Sequence, residues 1–148
     1  MKRQTKLNLP SERHDVFSRE KRSRIMGKIR STGNKSTELS LMSIFKNNNI
    51  IGWRRNLKIR GKPDFVFRHR KIVVFVDGCF WHGHRCRNTE PKDNDEYWRA
   101  KIGGNKKRDE EITAFWEKKG WKVIRIWECE LKNKNREKLI EKLDPFSI

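Results

Sequence analysis

Hydrophobic positions along the chain follow two periods, and the switch between them outlines the fold. From Arg19 to Arg30 the apolar residues Ile25, Met26 and Ile29 share one side of a helical projection, and Thr32-Gly33-Asn34 interrupts it. A second helix follows, with Leu39, Leu41, Met42, Ile44 and Phe45 at helical spacing, Ser36 as N-cap and Asn47-Asn48-Asn49 as its end. The period then becomes that of strands. Trp53 to Ile59 predicts a first strand, Arg60-Gly61-Lys62-Pro63 a turn, Asp64 to Phe67 a second strand and Lys71 to Val76 a buried third. Gly78 to Asp93 has no period and reads as a long loop that needs an internal organiser. Two helical pieces, Glu96 to Ile102 and Asn105 to Lys118, precede Gly120 as a C-terminal stop. Trp121 to Trp127 is a fourth strand, and Arg136 to Leu143 a closing helix. The order α, β, β, β, α, β, α predicts an α/β domain on one mixed sheet.

The chain has 148 residues, room for one domain, read as residues 18–148 behind a basic, flexible arm of residues 1–17. Lys and Arg number 37 against 19 Asp and Glu, a formal charge of +18 that makes nucleic acid the first candidate partner. No apolar run approaches the roughly 20 residues of a membrane span, and there is no secretory signal, so a soluble intracellular protein is expected. Six Trp, eight Phe and the run Ile72 to Val76 supply a core. The three cysteines are an odd number, which suits metal ligation better than a disulfide framework.

Paired positions of an antiparallel hairpin have a constant sum of residue numbers. A turn at His69 to Lys71 therefore sets Asp64 opposite a residue near Phe75 to Asp77, and two carboxylates meet at one sheet end. A hard cation such as Mg²⁺ would relieve their repulsion, with Glu38 on the preceding helix as a third carboxylate. Such a cluster suits phosphodiester hydrolysis. Pro63-Asp64 and Asp77-Gly78 are equally good turn chemistry.

Cys79, His82, His84 and Cys86 lie within eight residues, and Cys129 follows the fourth strand. Three sulfurs and one imidazole make a tetrahedral zinc set that would staple the loop to a distant strand. His84 or His82 could close it, and the other, for which His82 is favoured, would stand beside the carboxylates for acid/base or phosphate-binding work.

Several of these segments together resemble one family. They are Lys62 to Val66, Val74 to Cys86 with its Gly-Cys-Phe-Trp-His run, Tyr97-Trp98, Lys101 to Asn105, Arg108-Asp109, and Trp121 to Cys129 ending in Trp-Glu-Cys. The pattern is similar to the very short patch repair (Vsr) mismatch endonucleases over roughly Ser23 to Leu143. The resemblance implies a restriction-endonuclease-like core and an Mg²⁺-dependent enzyme that nicks one strand beside a T:G mismatch, starting repair of deaminated 5-methylcytosine. It implies that Asp64 binds the catalytic metal, that Val76 is the neighbouring metal position, that Glu38 is the helix glutamate and His82 the catalytic histidine. Cys79, His84, Cys86 and Cys129 then match the family's zinc ligands, and Phe80, Trp81 and Trp98 its wedges into the base stack. Asp77 stands where the best-known member has histidine, Val76 where it has a hydroxyl residue, and Gly83 where it has another histidine; a carboxylate at Asp77 could bind the metal directly.

Core positions are the plain alternative for Phe80, Trp81 and Trp98, while Trp116, Trp121 and Trp127 are expected in the core. Lys2, Arg3, Lys6 and Arg13 of the arm, with Arg22, Arg24, Lys28, Arg30, Lys101 and Asn105, are the candidate DNA contacts. The expected setting is a monomer in a prokaryotic cytoplasm, associated with the nucleoid and functionally linked to a cytosine methyltransferase and repair proteins. Two other readings stand beside this one: a sequence-specific or branched-DNA nuclease on the same core, and a zinc-stabilised DNA-binding module that cuts nothing.

Overall fold

The computed structural model describes residues 20–21, 23–24, 37–84, 86 and 95–144. The arm, Ser36, most of the Arg19 to Arg30 helix and the distal part of the loop after Gly78 lie outside the described residues; Glu20, Lys21, Ser23 and Arg24 are helical. Helix α1 spans Glu38–Asn47, burying Leu41, Ile44 and Phe45 at helical spacing, with Glu38 in the first turn where the helix dipole favours an anion. Its N-cap is Thr37, one residue later than expected, and the Thr37 side chain makes no capping bond. The Asn48 amide and side chain both donate to the Ile44 carbonyl, and Asn49 leaves the helix at φ 54°, a conformation asparagine tolerates.

Trp53 to Ile59 does not form the expected strand. Arg54 alone exchanges a pair of 2.9 Å backbone bonds with Val66, and Asn56 at φ 56° then breaks the extended path. The alternating apolar residues are still used: Trp53 packs on one side of the sheet, Leu57 and Ile59 on the other. Burial, rather than ladder bonding, explains the alternation.

Among the described residues the sheet has three strands in the order β1-β2-β3: β1 (Phe65–Phe67), β2 (Ile72–Asp77) and β3 (Lys122–Trp127). β1 and β2 are antiparallel with Phe65 opposite Val74, and Lys71 at φ 52° closes the turn. β3 lies parallel to β2, reached through helix α2, which spans Asp95–Lys118. The expected break between Ile102 and Asn105 is absent; Gly103 and Gly104 continue the helix, at about 0.5–1 kcal/mol each relative to alanine. Gly120, at φ 77°, ends the excursion, and Trp121 bonds back to Trp116. Two 3₁₀ turns, Glu128–Leu131 and Asn133–Asn135, lead into α3 (Arg136–Leu143).

Because both faces of the sheet are covered, its strands read as near-continuous apolar runs. One face packs Phe65, Phe67, Val74 and Ile126 against Leu41 and Phe45 of α1 and Leu139 and Leu143 of α3. The other packs Val66, Val73 and Phe75 against Trp116 of α2, with Ile112 and Phe115 alongside. No helix among the described residues is long and apolar enough to cross a membrane. The result is an α/β fold on a mixed sheet.

Candidate active site

Antiparallel pairing puts the start of β1 beside the end of β2, so Asp64 and Asp77 stand at the same end of the sheet. Asp64 donates its backbone N–H to the Val74 carbonyl at 2.9 Å, and its Oδ2 accepts the Val76 N–H at 2.7 Å. Burial pushes its carboxyl up to about 6; the Val76 bond opposes this, and the charges of Glu38 and Asp77 add to it. Glu38, 2% exposed, takes Nε and Nη2 of Arg55 on one oxygen at 2.8 and 2.6 Å. Asp64 thus feels the charge of both other carboxylates.

Strand parity sends Asp77 to the α2 side of the sheet, together with Val73 and Phe75. It is 4% exposed, its Oδ2 accepts from Arg125 at 2.8 Å, and its Oδ1 lies 3.8 Å from His82 Nε2. Burial raises its pKa against the opposing pull of His82 and Arg125. His82 is delivered by the tight turns after β2, in which its N–H bonds the Gly78 carbonyl, and its Nδ1 meets Asp109 Oδ2 at 2.5 Å. Burial disfavours its imidazolium, but the Asp109 bond and the charges of Asp77 and Asp109 outweigh burial, so its pKa ends above the usual value. A cavity of about 510 Å³ opens beside the pair, lined in part by Lys106, Thr113, Arg125 and Trp127.

Among the described residues, two groups of three or more metal-ligating side chains bring their ligand atoms within 4.8 Å of one another. One is Asp77, His82 and Asp109; the other is Cys79, His84, Cys86 and Cys129. Asp64, Glu38 and Asp77 do not form a third. The histidines therefore divide, His84 with the sulfurs and His82 with the carboxylates. His84 Nδ1 lies 3.6 Å from Cys129 Sγ, and its ring stacks on Trp127 at 4.3 Å between centroids. Burial and the neighbouring thiols push Cys129 up to about 12, and burial also raises Cys79. Crowded thiols that resist ionising are what a cation reverses, and three sulfurs with one imidazole fit a soft, tetrahedral ion such as zinc.

Phe80, Trp81 and Trp98 come together as a partly exposed cluster, with centroids 5.3 to 5.7 Å apart in edge-to-face pairs. Tyr97, 40% exposed and given no role in the sequence reading, joins Trp98 at 5.1 Å. Asn105 donates its amide to the Trp81 carbonyl at 2.8 Å, and Lys101 is exposed on the same helix. Arg24 is exposed, while Arg22, Lys28 and Arg30 lie outside the described residues. Trp116 is 7% exposed in the core and Trp121 packs beside it, whereas Trp127 serves the His84 stack.

Asp109 and Arg125 had no role in the sequence reading. Both carried a signal: within the expected Asn105 to Lys118 helix, Asn105 and Asp109 are four residues apart and share a face. Register sets Arg125 beside Phe75, so its parity points it to the Asp77 side.

The family model described as DNA mismatch endonuclease Vsr matches residues 14–88. The chain is 44% identical over 122 residues to the type II nicking enzyme V.NmeAIP of Neisseria meningitidis serogroup A, covering 81% of this chain and 86% of that protein. Identity is 40% over 121 residues to the type II nicking enzyme V.XorIIP of Xanthomonas oryzae pv. oryzae, covering 79% and 86%. It is 33% over 136 residues to the DNA mismatch endonuclease Vsr of Escherichia coli K12, covering 89% and 86%. On that similarity over most of its length, the chain belongs to the Vsr family of DNA mismatch endonucleases and is an endonuclease.

Proposed function

We propose that the chain is an Mg²⁺-dependent nickase that cuts one strand beside a T:G mismatch and so starts very short patch repair of deaminated 5-methylcytosine. The observation that carries the reading is the convergence, at one sheet end, of a half-buried carboxylate whose pKa is raised to about 6 and a histidine held between two further carboxylates. Asp64 and the Val76 backbone would hold the ion, with Glu38 assisting through its charge; the ion supplies polarisation of the phosphoryl group when bound. Asp77 was expected to join them, but its pairing with Arg125 favours the histidine side instead.

In this proposal His82 faces the scissile phosphate, and Asp109 on Nδ1 fixes which ring nitrogen presents to it. From that place the ring can hold a phosphate oxygen or pass a proton between water and the departing oxygen. Cys79, His84, Cys86 and Cys129 would hold zinc, which supplies only a staple between the loop and the turn after β3. Phe80, Trp81 and Trp98 would wedge into the stack, where a weakly paired mismatch lowers the unstacking energy. Arg22, Arg24, Lys28, Arg30 and Lys101 would contact phosphates, while the amide of Asn105, engaged with Trp81, steadies a wedge. A restriction-endonuclease-like core, a monomeric state, a place in the cytoplasm near the nucleoid and a link to a cytosine methyltransferase belong to the same reading.

The similarity to nicking enzymes of Neisseria and Xanthomonas favours catalysis over a binding module. The purified protein is expected to nick a T:G duplex with Mg²⁺ and not without it. Equal cutting of matched duplex would replace the mismatch reading with that of a sequence- or structure-specific nuclease, and binding without cutting would overturn both.

A further inference from the structure

Two carboxylates flank one imidazole on the α2 side of the sheet, and a single guanidinium touches both. Arg125 Nη1 donates to Asp77 Oδ2 at 2.8 Å and lies 3.4 Å from Asp109 Oδ1. Its Nη2 donates to the Asp109 carbonyl at 3.1 Å and its Nε to Thr113 Oγ1 at 3.2 Å. The guanidinium also sits over the Phe75 ring, 4.5 Å from its centroid. Each of its three nitrogens therefore has an acceptor, and the acceptors come from β2 and α2 while the arginine itself is on β3. A planar fork is suited to bridging fixed acceptors in this way; an ammonium is not.

The pair has a specific electrostatic task. The Asp77 side chain is 6% exposed, and a buried carboxylate without a partner is strongly unfavourable. Its partners are Arg125 at 2.8 Å and His82 at 3.8 Å, so the guanidinium is the nearer source of positive charge. Its positive charge, within 3.4 Å of both carboxylates, also opposes a cation at the Asp77, His82 and Asp109 cluster. Asp109 in turn bonds His82, so the orientation of the ring depends on where Arg125 holds that carboxylate.

We propose that Arg125 is a positioning residue for phosphodiester cleavage: it ties Asp77 to Asp109, holds the His82 ring in one orientation, and commits Asp77 to the histidine rather than to the ion at Asp64. The kinetic part of this inference rests on the nuclease reading; the structural part does not.

The test compares wild type with Arg125→Met, which keeps the stem and removes the fork, and with Arg125→Lys, which keeps only the charge. Long-range ¹H–¹⁵N spectra of the His82 ring are expected to show one ring form in wild type, with Nδ1 bonded to Asp109, and an averaged ring in Arg125→Met. On mismatched duplex, kcat in Arg125→Met is expected to fall by about 100-fold, the scale of an ångström-sized misplacement, with KM for DNA and the half-saturating Mg²⁺ unchanged. Arg125→Lys is expected to fall between the two.

An unchanged His82 spectrum in Arg125→Met overturns the proposal. So does a kcat loss that Mg²⁺ in excess restores, because Arg125 would then be acting on the ion. A rise in KM at constant kcat would make Arg125 a direct DNA contact and overturn it as well. If Arg125→Met does not fold, Arg125→Lys carries the same test, and wild-type spectra and kcat in that variant refute the fork. If wild type nicks no duplex, the nuclease reading fails, while the ring spectra still decide the positioning.

Discussion

Replacing Asp64 by asparagine is expected to stabilise the Mg²⁺-free protein at pH 8 while removing nicking. The Asp64 carboxyl sits at about 6 in the folded chain against 3.8 for the ordinary group. The folded state therefore holds this proton more tightly than the unfolded chain does. Its stabilisation is complete below pH 3.8 and lost as the pH rises through about 6. At ~1.4 kcal/mol per pKa unit, the loss by pH 8 is about 3 kcal/mol. Asparagine carries no charge to desolvate and can still accept the Val76 N–H, though a neutral acceptor gives back about 1 kcal/mol of that bond. A net gain of about 2 kcal/mol remains, or roughly 4–8 °C in Tm for a chain of this size. Thermal melts of both proteins by circular dichroism, with Mg²⁺ omitted and zinc left in place, read the difference at pH 4.5 and pH 8. It is expected near zero at the lower pH and positive at the higher, and added Mg²⁺ at pH 8 is expected to raise the Tm of wild type alone. A difference that does not change with pH would refute the assignment of strain to this carboxylate.

His82→Ala is expected to lower the single-turnover nicking rate by about 10²–10⁴-fold with duplex binding intact, and Asp109→Asn to lower it less; equal rates in wild type and His82→Ala would remove the acid/base role. Cys129→Ser is expected to bring metal analysis from one zinc per chain to less, with broadened thermal unfolding; full zinc retention would disconnect Cys129 from the cluster. Trp98→Ala is expected to weaken T:G nicking by about 5- to 150-fold, the equivalent of one lost ring-on-base stack, and to leave binding to matched duplex unchanged. Equal losses on both duplexes would make Trp98 a general contact.

Local chemistry carried much of the fold. The β1–β2 register followed from a constant sum of residue numbers, which is why Asp64 and Asp77 could be set at one sheet end before any coordinates. Proximity in sequence brought Cys79, His84 and Cys86 together, and Cys129 was within reach because β3 ends beside β2. What failed was periodicity without context. Trp53, Leu57 and Ile59 alternate as a strand does, yet a left-handed Asn56 turns the alternation into packing against opposite faces of the sheet. The glycine pair in α2 looked like a break, but it faces open space and the tertiary packing of Trp116 and Ile112 carries the helix through. That misreading had a cost downstream, since only an unbroken helix puts Trp98 and Asp109 on one element. Arg125 was hidden for another reason: its partners are 16 and 48 residues away, a separation no local pattern spans.

The same unbroken helix has a mechanical consequence. Trp98, in the aromatic cluster, and Asp109, on the His82 ring, ride on one rod, about 16 Å apart at ~1.5 Å per residue. A rod of stacked peptide bonds shifts or tilts as a unit, so a push against the tryptophan end is delivered at the aspartate end. If Trp98 meets the mismatch as proposed, sensing of the distorted duplex and alignment of the imidazole are strung on a single lever.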